Sequence, residues 1–240
     1  MKKILIIAAM ADVELNYLIQ KLEEKKVEQH NLCKFHTGKI AENEVVLCDS
    51  KVGLINTAAA LTIGIEKYHP DYIINQGCAG GLGKDIHKSD LVIGTECINI
   101  TSMKSKNRKA GEGSCIDDWE LINFMAGEED RLIPQKGSTE LIELVRKLDN
   151  EYKYGKVHYG AIGSGDIWNS EYDRLVFLNE KYNILCEEME GIAVYTVANQ
   201  YSIPVIDIRV ISDNLILNEE YERENSYKVQ EFTEKLILKI

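Results

Sequence analysis

The stretch Val205-Ile206-Asp207-Ile208-Arg209-Val210, running into Ile211-Ser212-Asp213-Asn214, is where the fold is decided. An apolar run of strand length carries charged residues and ends in a Ser-Asp pair. Upstream, Cys186-Glu187-Glu188-Met189-Glu190-Gly191 repeats the pattern, with acids where a buried strand meets a helix. Carboxylates are costly in such places unless they are paired or used. In open α/β sheets, ligands bind beyond the carboxyl ends of the strands. The two acidic stretches therefore point to an α/β enzyme whose site lies at those strand ends.

Working outward, strand-like and helix-like runs alternate. Strands are expected at residues 3–9, 72–75, 91–98, 156–163, 182–187 and 205–210. A hairpin is expected from 35–40 and 44–49, with its turn at 41–43. Helices are expected from Asp12, as N-cap, to about Lys25, then at 55–67, 139–148, 171–179, 191–199 and 219–240. This alternation predicts a mixed or parallel sheet covered on both faces. Residues 103–118 are polar and hold Lys104, Lys106, Arg108 and Lys109. They suit a surface loop, or an active-site flap.

A chain of 240 residues, 45% hydrophobic, with 17 Gly, 3 Pro and no linker-like stretch, is expected to form a single domain over 1–240. Its net charge of −11 argues against nucleic acid or an anionic membrane as partner. The apolar run after Met1-Lys2-Lys3 soon meets Asp12 and Glu14, which suits a first buried strand better than a signal peptide. No apolar run reaches membrane-spanning length. The six Cys are scattered without a CxxC pair, as expected of reduced thiols in a cytoplasmic protein. The five His lack the spacing of zinc ligands.

Several segments can carry chemistry. Gln76-Gly77-Cys78-Ala79-Gly80-Gly81 permits close backbone approach to a ligand, or is a tight turn needing positive φ. No Walker motif is present, and Gly163-Ser164-Gly165 lacks the third glycine of a dinucleotide fingerprint. Trp168 can stack on an aromatic ring or pack in the core. Glu190 stands at a helix start, where capping is its simplest role. Its cluster with Glu187 and Glu188 calls for a further reason, and ionised carboxylates bind ribose diols well. Arg209 suits a structural ion pair, or an anchor for an anionic ligand or a polarised water.

Taken in order, these pieces resemble the purine nucleoside phosphorylase/uridine phosphorylase superfamily, with the closest likeness to the methylthioadenosine/S-adenosylhomocysteine nucleosidases. The likeness spans nearly the whole chain. It rests on Ile6-Ile7-Ala8-Ala9-Met10, Val52-Gly53-Leu54-Ile55-Asn56-Thr57-Ala58-Ala59, Ile73 to Gly81, Ser164-Gly165-Asp166, Glu188-Met189-Glu190 and Arg209 to Asp213. The resemblance implies a three-layer α/β/α sandwich around a mixed, partly barrel-like sheet. It implies cleavage of a purine N-glycosidic bond, with Asp213 protonating N7 and Ser212 orienting it. Glu190 would hold the 2′ and 3′ hydroxyls and Met189 would pack on the sugar. Cys78, Ala79 and Gly80 would line the site, and Trp168 would stack on the base. A carboxylate near the N-terminus would activate water. Glu14 is the choice, with Asp12 as rival, and Arg209 and Glu188 would help hold that water. Asn75 stands where the phosphorylases place an Arg and Cys78 where they use Ser or Thr, which favours hydrolysis over phosphorolysis. A phosphorylase, or a binding protein that has lost catalysis, are the alternatives. No cofactor and no metal are implied. The implied partners are a small purine nucleoside and a second copy of the chain in a homodimer.

Overall fold

In the computed structural model, residues 1–30, 33–115, 118–122 and 134–240 are described. The chain opens with β1 (Lys3–Ala8), a π-helical turn (Ala11–Leu15), α1 (Asn16–Lys21), β2 (Glu23–His30), β3 (Cys33–Ile40) and β4 (Asn43–Asp49). It continues through α2 (Leu54–Tyr68), β5 (Tyr72–Gly81), β6 (Leu91–Asn99) and the short strands β7 (Met103–Ser105), β8 (Trp119–Leu121) and β9 (Gln135–Lys136). The rest comprises α3 (Thr139–Arg146), β10 (Val157–Ser164), α4 (Tyr172–Tyr182), β11 (Ile184–Glu188), α5 (Gly191–Gln200), β12 (Val205–Asp213) and α6 (Ser226–Ile237).

Ten strands form one mixed sheet in the order β11-β10-β6-β12-β5-β1-β4-β3-β2, with β9 beside β6. An additional pairing of β11 with β5 closes part of that sheet on itself. The ring β5-β12-β6-β10-β11 is the barrel-like portion, and β1 to β4 extend from it as an open wing. Along the core strands, alternate residues face opposite layers. Ile4, Ile6, Ile74, Ile206 and Ile208 pack under α1, α3 and α6 with Leu18, Leu141 and Phe232. Leu5, Ile7, Ile73 and Val205 pack under α2 and α5 with Leu61 and Val194. The result is a helix–sheet–helix sandwich, as expected.

Four expectations need correction. The first helix does not run to Lys25: it ends at Lys21, and Glu23–His30 is a strand. That strand is an exposed edge with a charged face, so apolar patterning could not mark it. Asp12 is no N-cap; Met10 holds that position, and Asp12 bonds Arg223 at 2.8 Å instead. The strand expected at 72–75 runs on to Gly81 in extended conformation, so the glycines form no tight turn. The last helix begins at Ser226, not 219, because residues 219–225 form a bridge to Asn214 and a 3₁₀ turn. Within 103–118, β7 pairs with β8, and Asp118 gathers Arg108 and Lys106. Residues 116–117 of that stretch lie outside the described residues. Among the described residues, no helix is long and apolar enough to cross a membrane.

Candidate active site

One cavity collects the ends of β5, β11 and β12 with the first turn after β1. It is lined by Glu14, Cys78, Ala79, Gly80, Trp168, Glu187, Glu188, Met189, Glu190, Ser212 and Asp213, among others. Ten of the eleven residues singled out from the sequence therefore reach it. Arg209 is the exception and lies behind the wall, 1% exposed. Asp12 does not line this cavity; it borders a separate groove with Tyr17 and Arg223.

Glu14 is 3% exposed. Its Oε2 accepts from the N–H groups of Ala9 (3.0 Å) and Met10 (3.2 Å), and its Oε1 from that of Cys78 (3.1 Å). The π-helical turn delivers it to this position, because Met10 leaves β1 in extended conformation and the chain must coil at once. Burial raises the Glu14 carboxyl, against the Arg209 charge and those three N–H donors. Gly77 makes the approach possible: a Cβ there would lie 2.5 Å from Glu14 Oε1 and 2.7 Å from Arg209 Nη1. The bareness of this glycine thus serves two protein side chains.

Arg209 anchors an acidic cluster. Its Nε donates to Asp207 Oδ1 at 2.8 Å, its Nη2 lies 2.5 Å from Glu188 Oε2, and its Nη1 lies 3.5 Å from Glu190 Oε2. One guanidinium cannot offset the burial of every carboxylate around it, and burial raises the proton affinity of Glu14, Glu190 and Asp207. Burial pushes Glu190 up to about 8, against Arg209. Asp207 rises to about 7 for the same reason. The sequence reading passed over Asp207. Its signal was the i, i+2 spacing to Arg209, which puts both on one face of β12.

The helix-cap role falls to Glu188, which accepts from the N–H groups of Glu190 (2.8 Å) and Gly191 (2.8 Å) at the start of α5. Glu190 is thereby released to face the cavity, where its Oε1 accepts from Gly53 N–H at 3.1 Å. Gly53 sits at φ 99°, a conformation other residues rarely adopt, at the start of α2. Asp166 caps that helix, accepting from Leu54 N–H at 2.8 Å. Ser164 Oγ accepts from Ile192 N–H at 3.0 Å. The Ser164-Gly165-Asp166 motif therefore fixes two helix starts around the site.

At the other end, Asp213 is only partly enclosed. Burial raises its carboxyl, and the Ser212 hydroxyl, donating to Oδ1 at 2.6 Å, opposes that rise. Ser212 Oγ also lies 3.2 Å from Ala79 O, so its single proton serves one acceptor at a time. Trp168 is 74% exposed at the cavity wall, edge-on to Tyr221, with ring centroids 6.1 Å apart. It is not a core residue. None of the described residues of 103–118 lines the cavity. Along β5, Glu14 meets Cys78 while Asp213 pairs with Gly80. Two residues of β5, roughly 7 Å, thus separate the points where a base-like and an acid-like carboxylate meet the strand. Such a span fits one glycosidic bond and its two flanking partners.

The family model described as the phosphorylase superfamily matches residues 3–240. A 5′-methylthioadenosine/S-adenosylhomocysteine nucleosidase of Bacillus thuringiensis is 31% identical over 217 residues, covering 88% of this chain and 85% of the relative. The Streptococcus pneumoniae nucleosidase of that name, solved with the transition-state inhibitor MT-ImmA, superposes with a TM-score of 0.79 at 26% identity, covering 98% of each chain. The Colwellia psychrerythraea nucleosidase, solved with adenine, has a TM-score of 0.81 at 22% identity, over 99% of this chain and 95% of that one.

Proposed function

We infer the function from the premise that this chain belongs to the phosphorylase superfamily. The reaction is hydrolysis of the N-glycosidic bond of a purine nucleoside, releasing the base and a ribose derivative. One observation favours water over phosphate as the acceptor. Five carboxylates line the cavity (Glu14, Glu187, Glu188, Glu190 and Asp213), and its described lining includes no Lys, Arg or His. That lining offers no cation to hold a phosphate dianion, and Arg209 behind it is already committed to carboxylates. The same lack of cations disfavours a 5′-phosphate on the substrate. A neutral thioether of the 5′-methylthioadenosine or S-adenosylhomocysteine type suits the cavity and agrees with the names of the relatives.

In this reading, Asp213 gives its proton to purine N7 as the bond from C1′ to the base breaks, the electron pair leaving with the base. Burial raises the proton affinity of Asp213, the direction a general acid needs for that step. Glu14 takes a proton from water while the water oxygen bonds C1′. The three N–H donors keep Glu14 ionisable despite its burial. Glu190 accepts from the ribose hydroxyls, and Met189 packs on the sugar. Arg209 and Glu188 hold the set in place. Cys78, Ala79 and Gly80 form the floor, Ser212 orients Asp213, and Trp168 covers the base. The chain acts as one domain over 1–240 and as a homodimer. Exposed Val52, Ile55, Ile167 and Trp168 cluster about the cavity mouth and the start of α2, an apolar surface for a second copy to cover. Six free cysteines suit a reducing compartment, and we place the protein in the cytoplasm.

A panel of nucleosides, assayed by base release with and without phosphate, tests the reading. Adenine release independent of phosphate is expected. Strict phosphate dependence with ribose-1-phosphate formed would replace hydrolysis by phosphorolysis, and tight adenine binding without turnover would leave only a binding protein.

A further inference from the structure

Glu187 has no part in the chemistry above, yet it opens on the same cavity. It pairs with Gly80 from β11, while Asp213 pairs with Gly80 from β12. The two acids straddle one glycine. A Cβ on Gly80 would lie 3.6 Å from Asp213 Oδ2 and 4.0 Å from Glu187 Cγ. Asn169, also a lining residue, donates its amide to Glu187 Oε2 at 3.5 Å.

If Asp213 addresses N7, its neighbour faces whatever adjoins N7 on the purine edge. On one side that is C8–H, which forms no ordinary hydrogen bond. On the other it is the 6-substituent. A carboxylate is an acceptor only, so it fits an amine and repels a carbonyl oxygen. We propose that Glu187, steadied by Asn169, reads the purine 6-position and selects a 6-amino base over a 6-oxo base. This rests on the nucleosidase reading above and adds the specificity residue it lacks.

The charged groups facing Glu187 are Asp213 from β12 and Arg174 from α4; β5 offers it Gly80 and β10 offers Gly163. Burial pushes its carboxyl up to about 7, Asn169 and Arg174 oppose the rise, and Asp213 adds to it. Protonated, Glu187 becomes a donor that tolerates O6. Selectivity for the amine therefore grows as pH rises through about 7.

The test compares kcat/KM for 5′-methylthioadenosine and 5′-methylthioinosine between pH 6 and 9, in wild type and in Glu187→Gln and Glu187→Ala. The wild type should favour the adenine nucleoside by about 10- to 100-fold, the worth of a charge-assisted hydrogen bond. Both variants should lose most of that preference and its pH dependence. A preference unchanged within about twofold in either variant would overturn the proposal. So would a wild-type preference that is flat with pH, a measurement that needs no variant to fold. Calorimetric binding of free adenine and hypoxanthine separates this from the reaction. If no nucleoside is cleaved, hydrolysis fails, while an adenine preference lost in Glu187→Gln still supports Glu187. Equal binding of the two bases by wild type, or binding of neither, sinks it.

Discussion

The two ends of the cavity treat carboxylates in opposite ways. Around Arg209, acids crowd a single buried cation and are pinned by backbone N–H groups. Around Asp213 the acid has a hydroxyl for its partner and stands partly open to the cavity. The first arrangement fixes geometry and shares charge. The second raises the proton affinity of a single carboxyl that faces the cavity. In the proposed reaction, general acid and general base would thus be separated by environment, although both are carboxylic acids.

Asp213→Asn and Glu14→Gln should break the contrast most sharply. Each removes one proton-transfer partner, and turnover should fall by about 10²- to 10⁴-fold. Adenine binding, measured by calorimetry, should survive in the Asn variant. Full activity in either would cancel the assigned role. Next in size, Arg209→Met leaves Asp207 and Glu188 buried without their cation. Urea unfolding should show a loss of about 3–5 kcal/mol, whereas Asp213→Asn should change stability little. Equal stability of the two variants would erase the distinction between the ends.

A smaller effect is the pH dependence of stability. Glu190 near 8, with Asp207 and Glu187 near 7, all lie above their unfolded values. Groups with raised folded values contribute stability fully below the unfolded value, about 4, and lose it as pH rises through 7 to 8. The urea midpoint of the ligand-free protein should therefore be lower at pH 9 than at pH 6. A midpoint that stays flat over that range would show that these carboxyls are already ionised at pH 6. Smallest of all, Asp12→Asn should alter turnover by less than about twofold, because its exposed pair with Arg223 lies in another groove. A large loss would restore Asp12 as rival to Glu14.

Much of the site was legible because its residues sit where apolar periodicity stops. Met189 and Glu190 follow β11, and Ser212 and Asp213 end β12, strands marked by their apolar residues. Residue patterning alone finds Glu188 and Glu190 but does not tell them apart; only the family resemblance does. Their roles depend on which carboxylate meets the N–H groups of α5, and that is set by the turn between β11 and the helix. Glu187 stands out in the sequence only as a member of the acidic cluster, because its outlet on the cavity depends on β11 pairing back to β5. Asp207 was hidden inside an apolar run, where burial of a carboxylate is intelligible only once Arg209 is seen beside it.

By itself, the sequence determined the α/β order of elements, the Gly-rich strand end and the acids at the ends of β11 and β12. These follow from local rules: side-chain periodicity, and the cost of placing charge in an apolar run. Only the tertiary structure decided that β2 is a strand and that Glu14, not Asp12, enters the cavity. It also decided that Arg209 stands behind the wall and that Glu187 shares Gly80 with Asp213. Those outcomes depend on contacts between residues far apart in the chain. The dielectric and the partners that set each carboxylate's proton affinity exist only after the barrel closes.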